Sequence, residues 1–341
     1  MARVNRKLTT MTSILLMALA TAAAALAQAP SAPTPRRPVH TFSIVGRDPA
    51  TGELGVAVQS HWFSVGPIVP WAEAGVGVVA TQSLVDVSYG PLGLDLMRAG
   101  RAAPDALKAL LAGDEGRDVR QVAMIDAQGR VAAHTGSKSI QAAGHIVGKE
   151  YSVQANLMLN GEVWPAMSRA FESTQGDLAE RMLAALDAAQ AVGGDIRGKQ
   201  SAAIIVVRAK STGRPWADRI FDLRVDDSPD PLRELRRLVT LQRAYLHMNA
   251  GDVAMEKKDN DAALREYGAA AALAPDNLEM VFWHAVALVN MGRVEDSLPL
   301  FRRVFEQDPN WATLTPRLVK SELLPNDPKV IDRILSAGKP R

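Results

Sequence analysis

His40-Thr41-Phe42-Ser43-Ile44-Val45-Gly46-Arg47-Asp48-Pro49-Ala50-Thr51-Gly52-Glu53-Leu54-Gly55-Val56-Ala57-Val58-Gln59-Ser60 reads as a β-hairpin at the front of a sheet. Phe42 and Ile44 fall on one face and Thr41, Ser43 and Val45 on the other, the period of two that marks a strand. Asp48-Pro49-Ala50-Thr51-Gly52 has turn chemistry, because Pro fixes φ, Asp caps its own turn and Gly admits φ > 0. Leu54 to Val58 is the returning strand. The first strand opens on a hydroxyl residue, Thr41. If processing frees its α-amine, this one residue carries both a base and a nucleophile. Sheet propensity alone also explains a β-branched residue at that place.

Upstream, residues 1–27 read as a signal peptide. Arg3, Arg6 and Lys7 form its basic region, Ile14 to Ala25 its apolar region, and Ala25-Leu26-Ala27 its cleavage site. Residues 28–40, with Pro30, Pro33, Pro35 and Pro38, read as a Pro-rich linker. The expectation is export to the periplasm or beyond, with no stable membrane span left after cleavage. The chain has no Cys, which removes disulfides, thiolate catalysis and Cys-ligated zinc together. Net charge is +2, and the basic cluster Arg233 to Arg243 includes Glu234, so it reads as a solvated helix face and no nucleic-acid partner is expected. His61, His134 and His145 lack ligand spacing, which gives no metal site. Gly-x-Gly-x-x-Gly and P-loop patterns are absent, and no cofactor is expected.

Downstream, strands are expected over Val76–Gln82, Arg120–Asp126, Arg130–His134, Tyr151–Leu157, Ser201–Arg208 and Ile220–Val225. Helices are expected over Leu92–Ala99, Asp105–Ala112, Trp164–Ser173 and Leu178–Ala191, the last capped by Asp177. Hairpin-linked strands alternating with helical pairs favour an α+β layered sandwich over residues 41–230 rather than a doubly wound parallel sheet. Residues 235–320 are helical and carry an internal repeat. Leu264 and Leu298, Tyr267 and Phe301, and Pro275 and Pro309 are each 34 residues apart, the tetratricopeptide period. The units are Arg243–Asp276 and Asn277–Asn310, too few to stand without a cap. Residues 321–341 form a tail with a short helix near Lys329 to Ser336.

Four features could carry chemistry. Thr41 is a candidate nucleophile. Asn156, inside the apolar run Tyr151 to Leu159, is either a structural amide or an oxyanion donor. Ser60 and His61 follow the second strand; their side chains point apart, so they make no dyad but could contact substrate. Gly193-Gly194-Asp195-Ile196-Arg197-Gly198 is either a helix stop with an internal ion pair or a loop in which Asp195 and Arg197 hold a polar ligand.

These stretches also carry a resemblance. Thr41-Phe42-Ser43-Ile44-Val45, Gly55-Val56-Ala57-Val58-Gln59-Ser60, Ala80-Thr81-Gln82-Ser83, Tyr89-Gly90-Pro91, Arg120-Gln121, His134-Thr135-Gly136 and Gly193-Gly194-Asp195-x-Arg197-Gly198-x-Gln200-Ser201-Ala202 occur in order across residues 41–226. This region resembles the bacterial family known as domain of unknown function 1028, whose fold is similar to the N-terminal nucleophile (Ntn) hydrolases. The resemblance implies a four-layer αββα sandwich and, by analogy of fold only, hydrolase chemistry. Relatives without a signal often begin Met-Thr-Phe-Ser, so removal of Met exposes the Thr. Here Thr41 lies 14 residues past Ala27, and signal cleavage alone leaves its amine acylated. Ser139 stands where relatives often carry Cys.

The expected function is an exported amidohydrolase of Ntn type acting on the C–N bond of a small polar or peptide-like substrate. Thr41 is its nucleophile and Asn156 its oxyanion donor, with Ser60, His61, Asp195 and Arg197 on the substrate. The alternative is a non-catalytic periplasmic binding or scaffold protein that holds a protein partner through its tetratricopeptide-like helices. Pairing into a homodimer is left open.

Overall fold

The computed structural model describes residues 39–338. The signal peptide, the linker up to Pro38 and residues 339–341 lie outside the described residues. Strands β1 (Thr41–Arg47) and β2 (Leu54–Ser60) form the expected hairpin, with Thr41 opposite Ser60 and Arg47 opposite Leu54. Its turn closes as the residues dictate. Asp48 Oδ1 accepts from Ala50 N at 2.8 Å, and Gly52 takes φ 76°.

The other strands are β3 (Pro70–Glu73), β4 (Gly77–Ser83), β5 (Arg120–Asp126), β6 (Val131–Thr135), β7 (Gly144–Gly148), β8 (Tyr151–Ala155), β9 (Ser201–Val207) and β10 (Arg219–Val225). They form two antiparallel sheets, a six-stranded one in the order β10-β9-β2-β1-β8-β7 and a four-stranded one in the order β3-β4-β5-β6. Strands β3 and β7 are absent from the sequence expectation. Both are short edge strands, one opening on Pro and the other bounded by Gly, so neither carries the β-rich run that marks an inner strand.

The alternation in β1 sorts its side chains between two cores. Phe42 and Ile44 pack with Met167 and Phe171 of α3 (Val163–Ser173) and with Leu178, Met182 and Leu186 of α4 (Leu178–Ala191). Val45, with Val56 and Val58 of β2, packs on Val78, Ala80, Ala123 and Ile125 of the other sheet. Beyond that sheet, Val79, Val122 and Met124 pack on α1 (Tyr89–Arg98) and α2 (Ala103–Gly113). Each large apolar side chain so buried contributes about 1.5–3 kcal/mol. The space between the sheets changes chemistry along the strands. Toward the Thr41 end its lining is Thr41, Ser43, Ser60, Gln82, Gln121, Gln154 and Asn156, all with 0% exposure.

Helices α5 (Pro231–Glu256), α6 (Asn260–Leu273), α7 (Leu278–Asn290), α8 (Val294–Gln307), α9 (Asn310–Leu314) and α10 (Pro328–Ala337) make up the rest. The 34-residue register survives as equivalent burial: Ala263 matches Ser297, and Tyr267 matches Phe301, all buried. Ile334 of α10 joins Phe301 and Phe305 of α8 in one core, so the trailing helix caps the second hairpin. Among the described residues no helix is long and apolar enough to cross a membrane.

Candidate functional site

The site grows from the start of β1. Because Thr41 pairs with Ser60 across the hairpin, their inward side chains meet, and Thr41 Oγ lies 3.2 Å from Ser60 Oγ and 3.0 Å from the Val39 carbonyl. Ser60 Oγ donates to the His40 carbonyl at 2.5 Å. The same oxygen accepts from Arg197 Nη2 at 3.0 Å. Two donors therefore converge on the carbonyl of the peptide bond that precedes the Thr41 amine.

Arg197 is held in place by Asp195, whose carboxylate accepts from Arg197 Nε at 3.0 Å and Nη2 at 2.7 Å and is itself fully buried. Asp195 also accepts the backbone N–H of Arg197 at 2.9 Å and of His61 at 3.2 Å. The loop needs its glycines: Gly193 and Gly194 take φ 122° and 58° as α4 ends, and Gly198 takes φ 115°. The internal ion pair, one of the two readings of this loop, is present, and Arg197 also reaches the chain's own His40 carbonyl.

A chain of amides surrounds this centre. Gln82 Nε2 donates to the Thr41 carbonyl at 3.0 Å and to Gln121 Oε1 at 2.7 Å, while Ser43 Oγ donates to Gln82 Oε1 at 2.6 Å. Asn156 Nδ2 donates to Gln121 Oε1 at 2.9 Å, so Asn156 Oδ1 faces His40 Nδ1, 2.7 Å away. That orientation places the His40 proton on Nδ1 and leaves Nε2 with its lone pair. Burial pushes the His40 imidazole below its ordinary pKa, with the Arg197 charge acting in the same sense and the Asn156 bond against it. Gln121 Nε2 carries the chain to Thr135 Oγ at 2.9 Å, which meets His145 Nδ1 at 2.8 Å.

Two strands leave the site through left-handed backbone at residues other than Gly. Ser83 (φ 75°) follows Gln82, and Leu157 (φ 57°) follows Asn156. Such conformations cost about 1–3 kcal/mol each and persist where surrounding structure over-determines them. At the same end, buried atoms of Gln59, His61, Ser83, Ser139 and Gln154 have no partner among the described residues.

Five of the six residues singled out from sequence, Thr41, Ser60, Asn156, Asp195 and Arg197, fall in one hydrogen-bonded cluster. His61 joins by its backbone alone. The amide of Asn156 is engaged with His40 and Gln121. Sequence reasoning missed His40, Gln82 and Gln121. The available signal was a Gln at an inward position near the end of several apolar strands, where sheet packing alone has no use for one. Val39 and His40, assigned to the linker, are buried, and Val39 pairs with Ser83. No group of three or more His, Asp or Glu among the described residues is placed to hold a metal ion.

A family model described as "Family of unknown function (DUF1028)" matches residues 41–235, more than half of the chain. The chain belongs to this family. A second model, "Tetratricopeptide repeat", matches residues 254–316. A crystal structure of a DUF1028 protein from Silicibacter pomeroyi is 31% identical, with a TM-score of 0.53, over 59% of this chain and 84% of that one. Anbu (ancestral beta-subunit) from Yersinia bercovieri aligns over 58% of this chain and 92% of its own, at 11% identity and a TM-score of 0.30. No curated protein matches the chain. In DUF1028 terms, the cluster around Thr41 draws on strands from both sheets of the family domain and on its Gly193–Gly198 loop.

Proposed function

We propose that this DUF1028 protein is an exported hydrolase of Ntn type that cuts an amide bond in a peptide-like substrate, with Thr41 as nucleophile. The observation that carries the reading is the pair of donors, Ser60 Oγ and Arg197 Nη2, on the His40 carbonyl beside Thr41 Oγ. Helices packed on the outer faces of two facing sheets are what a four-layer αββα sandwich requires, and they support the same reading.

The donors give the His40–Thr41 bond a route to cleavage. Thr41 Oγ adds to the His40 carbonyl carbon and its proton passes to the Thr41 nitrogen, while Ser60 Oγ and Arg197 Nη2 hold the negative charge on the His40 oxygen. The C–N bond then breaks as the carbonyl re-forms, and the proton stays on the Thr41 amine. His40 is left as an ester on Thr41 Oγ, and water releases it as a carboxylate. Thr41 now has a free hydroxyl and a free amine, and the amine serves as base for attack on substrate. In this scheme Ser60 and Arg197 stabilise the oxyanion, Asp195 positions Arg197, and Asn156 positions His40. The test is the amino terminus of exported protein, read by mass spectrometry. A chain beginning at Thr41 is expected, and Thr41→Ala should stop at Gln28. A wild-type chain that begins at Gln28 and still cleaves amides removes Thr41 from the mechanism.

A second reading, a binding or scaffold protein, rests on the helical region. A cavity of about 310 Å³ between α5 and α7 is lined by Tyr245, Met248, Asp252, Glu279 and Trp283. If partner binding is the function, the immobilised full chain retains a periplasmic protein and Trp283→Ala does not. Equal retention by both counts against this groove.

A further inference from the structure

The geometry points to a substrate class for the Thr41 site. We infer that its acyl half is a peptide segment ending in His, preceded by a residue with a free backbone N–H, as in the chain's own Val39-His40. This rests on the Thr41 reading above.

Val39 and His40 occupy the site as the acyl half of a bound peptide would. Val39 makes a complete antiparallel bridge with Ser83, donating its N–H to the Ser83 carbonyl at 2.7 Å and accepting the Ser83 N–H at 2.9 Å. That is strand addition to the end of β4, which binds peptide backbone of many sequences and excludes Pro at the paired position. Ser83 reaches this geometry only through its left-handed φ of 75°. The side-chain contact supplies selectivity. His40 is 2% exposed and its Nδ1 donates to Asn156 Oδ1 at 2.7 Å, an acceptor fixed by the bond from Asn156 Nδ2 to Gln121. An apolar or acceptor-only side chain leaves that buried oxygen unpaired, which is what makes hydrogen-bonding sites discriminate strongly.

The chemistry closes the argument. Self-cleavage passes through an ester joining the His40 carbonyl to Thr41 Oγ. A peptide amide of the form Val-His-NHR forms the same ester. Its carbonyl carbon gains the bond to Thr41 Oγ and loses the amine, which leaves with the proton taken up by the Thr41 amine. Water then splits the ester into a His carboxylate and the free hydroxyl. A site that completes its own maturation has therefore already hydrolysed this acyl group.

The experiment uses exported full chain whose amino terminus is read by mass spectrometry. Three peptides bear the 4-methylcoumarin-7-amide reporter: acetyl-Arg-Pro-Val-His, acetyl-Arg-Pro-Val-Ala and acetyl-Arg-Pro-Pro-His. The first is expected to show a kcat/KM at least tenfold above either other, and Asn156→Ala should erase the preference for His over Ala. Protein that begins at Gln28 and hydrolyses none of them overturns the Thr41 reading and this inference with it. Protein that begins at Thr41 and hydrolyses all three within twofold, or that cleaves other amides and none of these, overturns the inference alone.

Discussion

Ser60 and Arg197 divide one task between a neutral and a charged donor, and their supports differ. Ser60 is set by its register opposite Thr41, whereas Arg197 depends on a bidentate contact with a buried carboxylate. Removal of one preorganised donor from an oxyanion site costs on the order of 10²–10³ in rate. Ser60→Ala should thus slow the appearance of the Thr41 terminus by about that factor while the purified precursor keeps its circular dichroism. A rate within threefold of wild type would show that Ser60 does not hold the oxyanion. His40 supplies a pH signature in the uncleaved chain. Burial holds its pKa below the ordinary 6.5, and burial acts likewise on His145 and His284. Between the folded and unfolded values the unfolded chain binds more protons, so stability is full above about pH 6.5 and falls as pH drops through the folded values. In the Thr41→Ala chain, which keeps His40 attached, the urea midpoint should be lower at pH 5.5 than at pH 7.5. Adding His40→Gln should shrink that difference, and an unchanged difference would assign it to the other two imidazoles.

At the scale of elements, the segment between β6 and β7 frames the site and depends on one close approach. A Cβ on Gly136 would stand 2.6 Å from the Arg117 carbonyl oxygen and closer still to the carbonyl of Asp118. These are backbone atoms that cannot swing aside. Gly136→Ala is expected to destabilise the protein by about 1–3 kcal/mol, as overpacking does. It should also loosen the contact of Ile140 O with Leu157 N, 2.8 Å in the wild type, next to Asn156. Denaturant titration reads the first effect, and amide exchange at Leu157 reads the second. What was legible in the sequence follows from the same physics. The hairpin, the helices and the 34-residue repeat are local patterns, each written in a contiguous run, and Asp177 does cap α4 through Glu180 N at 2.8 Å. The edge strands β3 and β7 were not legible because an edge needs no continuous apolar run. The glutamine network was not legible for another reason. Gln82 and Gln121 lie on two strands of one sheet and Asn156 just past the end of β8 in the other, and only the packing of those sheets brings their amides together. The contact of Arg197 with His40 spans 157 positions, and no local pattern encodes it.

At the scale of the whole molecule, α5 belongs to two cores at once. Its front half gives Leu232, Leu235 and Val239 to the core of the six-stranded sheet and its flanking helices. Its back half gives Ala244, Met248 and Ala254 to the core of the first tetratricopeptide-like hairpin. Arg243, near its middle, reaches back to Asp177 at the cap of α4 at 2.6 Å. An unbroken helix transmits cooperativity, because fraying either half exposes apolar surface that the other half's hydrogen bonds hold in place. The sheet region and the helical region should therefore unfold in one transition. Leu241 lies between the two sets of buried residues, and Pro there removes a helical hydrogen bond and clashes with the preceding turn, at a cost of about 3 kcal/mol or more. Leu241→Pro is expected to split the single calorimetric transition into two, with the helical region melting first because its hairpins lose the cap that the sheet core gave them. The Thr41 cluster, built wholly within residues 39–201, should keep maturing in that variant. A single transition in Leu241→Pro would mean that contacts other than α5 couple the two regions. Loss of maturation there would mean that the helical region supports the site.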